Sequence, residues 1–136
     1  MHQKIIRCLP FLFMLMASSL SFADWPNWRG PDGSGTTSVG QYPSQLDASN
    51  LKWKFPLPGK GCSTPAVFNQ TIYITTPDSG FDALIALDQS GKKLWSVRFD
   101  KESPGKHRNG SGSNPSPAVD SSGIYVYYKS GTLACV

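Results

Sequence analysis

From Leu51 to Val136 the apolar residues come in short runs rich in Val, Ile, Tyr, Thr and Phe. Clusters of Gly, Asn, Asp, Ser and Pro separate them, the pattern of strands joined by turns. No stretch of about ten residues carries the 3.6-residue period of an amphipathic helix. The runs predict strands near 64–68, 71–76, 83–88, 92–99, 116–120, 123–128 and 132–136. Phe68-Asn69-Gln70-Thr71, Asp88-Gln89-Ser90-Gly91 and Asp120-Ser121-Ser122-Gly123 read as tight turns, since Asn and Asp bond their own backbone and tolerate turn conformations. Runs such as Leu84-Ile85-Ala86-Leu87 are apolar at successive positions. Successive strand residues face opposite sides, so a continuous apolar run implies a sheet covered on both faces.

The runs repeat. Ser63 to Ile74 aligns without a gap on Pro115 to Val126, at an offset of 52, with Pro-Ala-Val, a turn, then Ile-Tyr-Ile or Ile-Tyr-Val in each copy. Ala83 to Leu87 aligns on Thr132 to Val136 at an offset of 49, so the first copy holds three more residues around Pro77-Asp78-Ser79-Gly80. Leu51-Lys52-Trp53-Lys54 echoes Lys93-Leu94-Trp95-Ser96, tryptophan on tryptophan. Four short antiparallel strands recurring every 40–50 residues or so define a β-propeller blade. The fold class expected is all-β: about two blades, the last incomplete, where a closed propeller has roughly four to eight.

Ahead of the repeats stand two other segments. Residues 1–23 have the form of a secretory signal peptide: Lys4 and Arg7, an apolar run from Leu9 to Leu20, then Ser21-Phe22-Ala23, with cleavage expected after Ala23. A spanning helix needs roughly 20 apolar residues; this run is shorter and contains Pro10. Residues 24–50 form an irregular lead-in dense in Pro and Gly. Its Trp25 and Trp28 are expected to pack on the body of the fold, because large aromatic surfaces favour burial. Residues 51–136 are the repeat region.

The segment Ala86-Leu87-Asp88-Gln89-Ser90-Gly91-Lys92-Lys93-Leu94-Trp95 resembles the tryptophan-docking repeat of PQQ-like (quinoprotein-type) β-propellers, Ala-x-Asp-x-x-Thr/Ser-Gly-x-x-x-Trp, with one residue fewer between Asp88 and Ser90. That family includes quinoprotein alcohol dehydrogenases and an outer-membrane assembly lipoprotein. The opening Asp24-Trp25-Pro26-Asn27-Trp28-Arg29-Gly30-Pro31 is similar to the start of many exported bacterial members. The resemblance implies that Asp88 and Gly91 make the turn into the last strand and that Trp95 docks between blades. It implies an N-terminal stretch of such a propeller, and one of two functions: a non-catalytic interaction or envelope-assembly scaffold, or part of a dehydrogenase using PQQ and Ca²⁺.

Charge and chemistry favour the first. Loss of Lys4 and Arg7 from the 13 basic residues lowers the formal charge from +4 to +2, too little and too scattered for a nucleic-acid surface. Asp88 has a sufficient role as a turn former, and Asp32, Asp78, Asp82 and Asp120 are read as loop or turn residues without calcium-loop spacing. His107, in the long link Asp100–Asn114, is read as a solvated imidazole without a catalytic partner. No residue is assigned a catalytic or metal role, and no cofactor is predicted outside the dehydrogenase reading. Asn69-Gln70-Thr71 and Asn109-Gly110-Ser111 match the glycosylation pattern but are read as turns. Trp25 and Trp28 offer a weaker option, stacking platforms for a sugar. Cys62 and Cys135 are read as two small buried apolar side chains. The expected setting is periplasmic or secreted. The expected partners are other envelope proteins, with self-association possible through open blade edges.

Overall fold

The computed structural model describes residues 24–38, 40 and 42–136, so the expected leader, residues 1–23, lies outside the described residues. The described residues are all-β apart from one 3-10 turn, Ala48–Asn50. Four antiparallel strands, β1 (Ala66–Phe68), β2 (Thr71–Asp78), β3 (Phe81–Leu87) and β4 (Lys93–Lys101), form one sheet in that order. β5 (Ala118–Asp120), β6 (Gly123–Tyr127) and β7 (Leu133–Cys135) form a second.

The two sheets are copies of one unit. Ala66 pairs with Tyr73 as Ala118 pairs with Tyr125, and Tyr73 pairs with Ala86 as Tyr125 pairs with Cys135. The three extra residues lengthen the β2–β3 hairpin, which runs on to Asp78 and Phe81. The shorter β6–β7 turn closes at once with the Tyr128 N–H on the Thr132 carbonyl at 2.9 Å.

The core lies between the sheets. Ala66 and Leu84 of the first blade pack on Val119, Ile124, Val126 and Tyr128 of the second, with Tyr73, Val97, Phe99 and Ala134 at its margin. Each large aliphatic side chain buried there contributes roughly 1.5–3 kcal/mol. The far side of the first blade is covered too. Trp53, Phe55 and Leu57 lie over Pro65, Ile72, Ile74 and Leu87 and enclose a pocket of about 130 Å³. Burial on both sides explains the unbroken apolar run of β3.

The turn between β3 and β4 fixes Trp53. The Asp88 carboxylate accepts from Ser90 N at 2.8 Å, Ser90 Oγ at 2.6 Å and Lys92 N at 3.0 Å. That ties the chain into a loop that Gly91 completes at φ +81°. Trp53 lies against Gly91, and its Nε1–H donates to the Gln89 carbonyl at 2.8 Å. Trp95, expected to dock between blades, is 36% exposed and has its ring 6.0 Å from that of Tyr73, which packs on the inter-blade core. The tryptophan seated on this turn is thus the one preceding the blade.

The lead-in is a strap. Trp25 exchanges both backbone hydrogen bonds with Val67 at 2.8 Å, and the next carbonyl, of Pro26, accepts from Val119 N at 2.8 Å. One short segment therefore joins the inner strands β1 and β5. Trp25 is part-buried, as expected. Trp28 departs from expectation: it is 65% exposed, with the Arg29 guanidinium 5.7 Å from its ring centre. Cys62 and Cys135 depart as well, since both are free and exposed. Cys62 lies on the irregular link into β1, and Cys135 shares the uncovered face of the second sheet with Tyr125, Tyr127 and Leu133.

Candidate functional site

The β2–β3 turn and the links into β1 and β5 meet at one rim of the two blades. There the Glu102 N–H donates to the Gly80 carbonyl at 2.9 Å, which folds the link onto the hairpin. The link then turns inward. Gly112 N donates to Glu102 Oε1 at 2.9 Å, and Ser111 N and Cys62 N both donate to Asn114 Oδ1, at 2.9 and 3.1 Å. Asn114 thereby ties the two inter-blade links together. Thr64 N on Ser116 Oγ, and Thr75 Oγ1 on the Pro115 carbonyl at 2.6 Å, add two further ties.

At the centre of this rim is Asp82. It is fully buried on β3, and its Oδ1 accepts from Ser113 Oγ at 2.5 Å. Its Oδ2 has no partner among the described residues, nor has the buried hydroxyl of Tyr128. Burial raises the Tyr128 pKa, and the charge of Asp82 adds to the rise, so the ring stays a neutral phenol. The ring packs against Phe99 at 5.4 Å between centres. A buried polar group left unpaired costs free energy, so Asp82, Ser113 and Tyr128 are the chemically exceptional groups here.

Two aspartates are therefore not the turn residues expected. Asp82 lies within a strand and is buried, because the longer first hairpin carries it under the folded link. Asp78 ends β2 and pairs with Arg98 at 2.8 Å. The hydrogen bond from Arg98 holds its carboxyl below the usual carboxylate range, aided by Ser79. Asp88 is a turn residue as expected, and Asp120, the last residue of β5, opens the turn expected there, its Oδ1 accepting from Ser122 N at 2.7 Å. Asp32 is likewise a loop residue, accepting from Ser34. His107 is exposed, its Nδ1 accepting from Asn109 N at 3.2 Å, on a link whose far end is buried. Asn69 and Gln70 form the β1–β2 turn, both at positive φ.

Sequence reasoning missed Ser113 and Tyr128. The usable signal was Tyr128 itself, which extends the Ile-Tyr-Val-Tyr run to where the first copy has Thr76. Among the described residues no group of three or more His, Cys, Asp or Glu is placed to hold a metal ion. At the opposite rim a groove of about 320 Å³ runs between the blades, lined by Phe68, Tyr73, Val119, Asp120 and Ile124 among others.

Two stacked copies of one antiparallel unit, with a tryptophan on the Asp88–Gly91 turn, define a β-propeller repeat protein. Residues 33–136 match the family model described as Outer membrane protein assembly factor BamB, a PQQ-type repeat, and the chain belongs to that family. No curated protein and no solved structure matches it.

Proposed function

We propose that this chain is an exported, non-catalytic propeller scaffold of the cell envelope, holding other proteins during assembly. The observation that carries this reading is its membership of a family described as an outer-membrane assembly factor. The geometry of the rim agrees with it. Glu102, Asn114 and Ser116 are each committed to backbone N–H groups of the two links, which builds a firm surface for contact. No helix among the described residues is long and apolar enough to cross a membrane.

Two measurements test the proposal. N-terminal sequencing of the chain from the envelope fraction should begin at Asp24; retention of residues 1–23 counts against export by cleavage. A UV-visible titration with PQQ and Ca²⁺ should show no stoichiometric complex. Tight binding with dye-linked alcohol oxidation would replace the scaffold with the dehydrogenase reading.

A further inference from the structure

The basic residues are dispersed in the sequence, but the fold gathers half of them at the rim around Asp82. Six of the eleven that follow Ala23 stand there with four of the nine acidic residues, so this rim carries the net charge of +2 and the rest of the chain is balanced. Hydrogen bonds bring the cations together. Glu102 N on the Gly80 carbonyl sets Lys101 beside the β2–β3 hairpin, where it pairs across the ladder with Phe81. The Cys62 thiol donates to the Asn109 carbonyl at 3.4 Å, which holds the link bearing Lys60 against the one bearing Lys106 and Arg108. From the β6–β7 turn, Lys129 N donates to the Gly112 carbonyl at 3.1 Å and its Nζ to that of Pro104.

Lys60, Lys101, Lys106, Arg108 and Lys129 are all exposed, and none has a carboxylate partner: the ion pair among the described residues is Arg98 with Asp78. The other carboxylates of the rim are engaged elsewhere, Glu102 by Gly112 N, Asp100 by Thr132 Oγ1 at 2.7 Å and Asp82 by Ser113. Gathered like charges repel and work against the compact state, a cost that an anionic partner relieves. Among them stands an exposed aromatic ring, Phe81, 43% exposed at the start of β3. Aromatic side chains of this kind are common anchors of protein interfaces. Propeller blades stack through the faces of their sheets. This rim is made of turns and links at the strand ends, so stacking does not cover it.

We propose that this rim docks an acidic segment of a partner protein, its carboxylates on the five cations and an apolar side chain on Phe81. The inference rests on the scaffold reading and deepens it by naming the chemistry of the partner. Charge complementarity selects the occupant. Cations interspersed with carboxylates fix the register of a specific protein contact and reject wrong partners. An anionic lipid surface fits less well. Lipid-binding clusters are dense runs of Lys and Arg, joined by apolar residues that enter the headgroup layer. Here Asp100 and Glu102 flank Lys101, and the link 101–114, which carries three of the five cations, contains no large apolar residue.

The test is fluorescence anisotropy of a fluorescein-labelled oligoglutamate peptide with one central Leu, titrated with the full chain. The peptide should bind at low salt and weaken as salt screens the exposed charges. Lys60→Gln with Lys106→Gln and Arg108→Gln should lower the affinity roughly tenfold, the scale of three exposed ion pairs. Lys52→Gln with Lys54→Gln and Lys93→Gln removes the same charge elsewhere and should change it little. Phe81→Ala should weaken the Leu peptide and leave one with Ser in its place unaffected. Matching circular dichroism of the variants separates a lost contact from a lost fold. Equal binding of a peptide with Gln for every Glu, or equal losses in the two triple variants, would overturn the proposal. So would a rim that prefers phosphatidylglycerol vesicles to the peptide, which would make the surface a membrane contact. Stoichiometric PQQ binding would remove the scaffold reading and this inference with it, whereas a chain that takes up neither PQQ nor the peptide would overturn this inference alone.

Discussion

Trp53 rests on Gly91 so closely that a Cβ built on the glycine would lie 2.5 Å from the indole Cδ2, and Gly91 also holds φ at +81°. Two separate costs therefore fall on Gly91→Ala. The left-handed backbone costs a non-glycine residue about 1–2 kcal/mol, and the overpacked ring about 1–3 kcal/mol more. Gly80→Ala isolates the first cost, since Gly80 has φ +84° and nothing within 4 Å of a Cβ. Urea denaturation should place Gly91→Ala well below Gly80→Ala in stability. Equal losses in the two variants would mean that the tryptophan contributes no constraint on the turn.

The buried rim gives an asymmetric pair. Ser113→Ala removes the partner of Asp82 Oδ1 and leaves both carboxylate oxygens unpaired, for a loss of about 1–3 kcal/mol or more. Tyr128→Phe removes a buried hydroxyl that has no partner, while the ring keeps its contact with Phe99. Its stability should match or exceed that of the parent chain. A loss above about 1.5 kcal/mol would show that the hydroxyl is paired in solution, through an internal water for example.

The repeat itself was legible in the sequence because it leaves a gapless copy: Pro-Ala-Val and Ile-Tyr-Val fixed both hairpins and the register between them. Asp88 and Gly91 were legible because their residue types are dictated by the turn. The docking role of Trp95 came from the family resemblance; the seat on Gly91 is filled by its counterpart Trp53 from the preceding repeat, a contact set by which repeat lies next to which. Asp82 was misread because burial here comes from a distant link folding over the hairpin, at Ser113, which no local pattern encodes. Trp28 shows the limit of the hydrophobic argument. The adjacent Arg29 satisfies its ring face in solvent, so its size did not require burial.

Acid should weaken the turn that seats Trp53. The hydrogen bonds from Ser90 and Lys92 hold the Asp88 carboxyl below the usual carboxylate range. A group depressed in the folded state stabilises it fully above the unfolded pKa, and that contribution fades as pH falls through the folded value. Thermal unfolding should therefore be flat with respect to Asp88 at neutral pH and decline from about pH 4 downward. Asp88→Asn should be less stable than the parent at pH 7 and converge towards it near pH 2. Parallel curves across that range would remove the carboxylate from the account.

The strap makes a prediction at single amides. Val67 N donates to the Trp25 carbonyl, Val119 N to the Pro26 carbonyl and Asn69 N to the Asp24 carboxylate. β1 and β5 are innermost strands of three residues each, so without the strap these three groups face solvent along an open edge. Hydrogen exchange should show all three protected in the parent chain. Trp25→Ala should speed Val67 and Val119 together, because both bonds hang on one short segment held by the indole against Gly30. The Tyr73 amide, inside the first sheet, should change little by comparison. If Val67 exchanged faster while Val119 kept its protection, the strap would be joined to each blade separately and would not couple them.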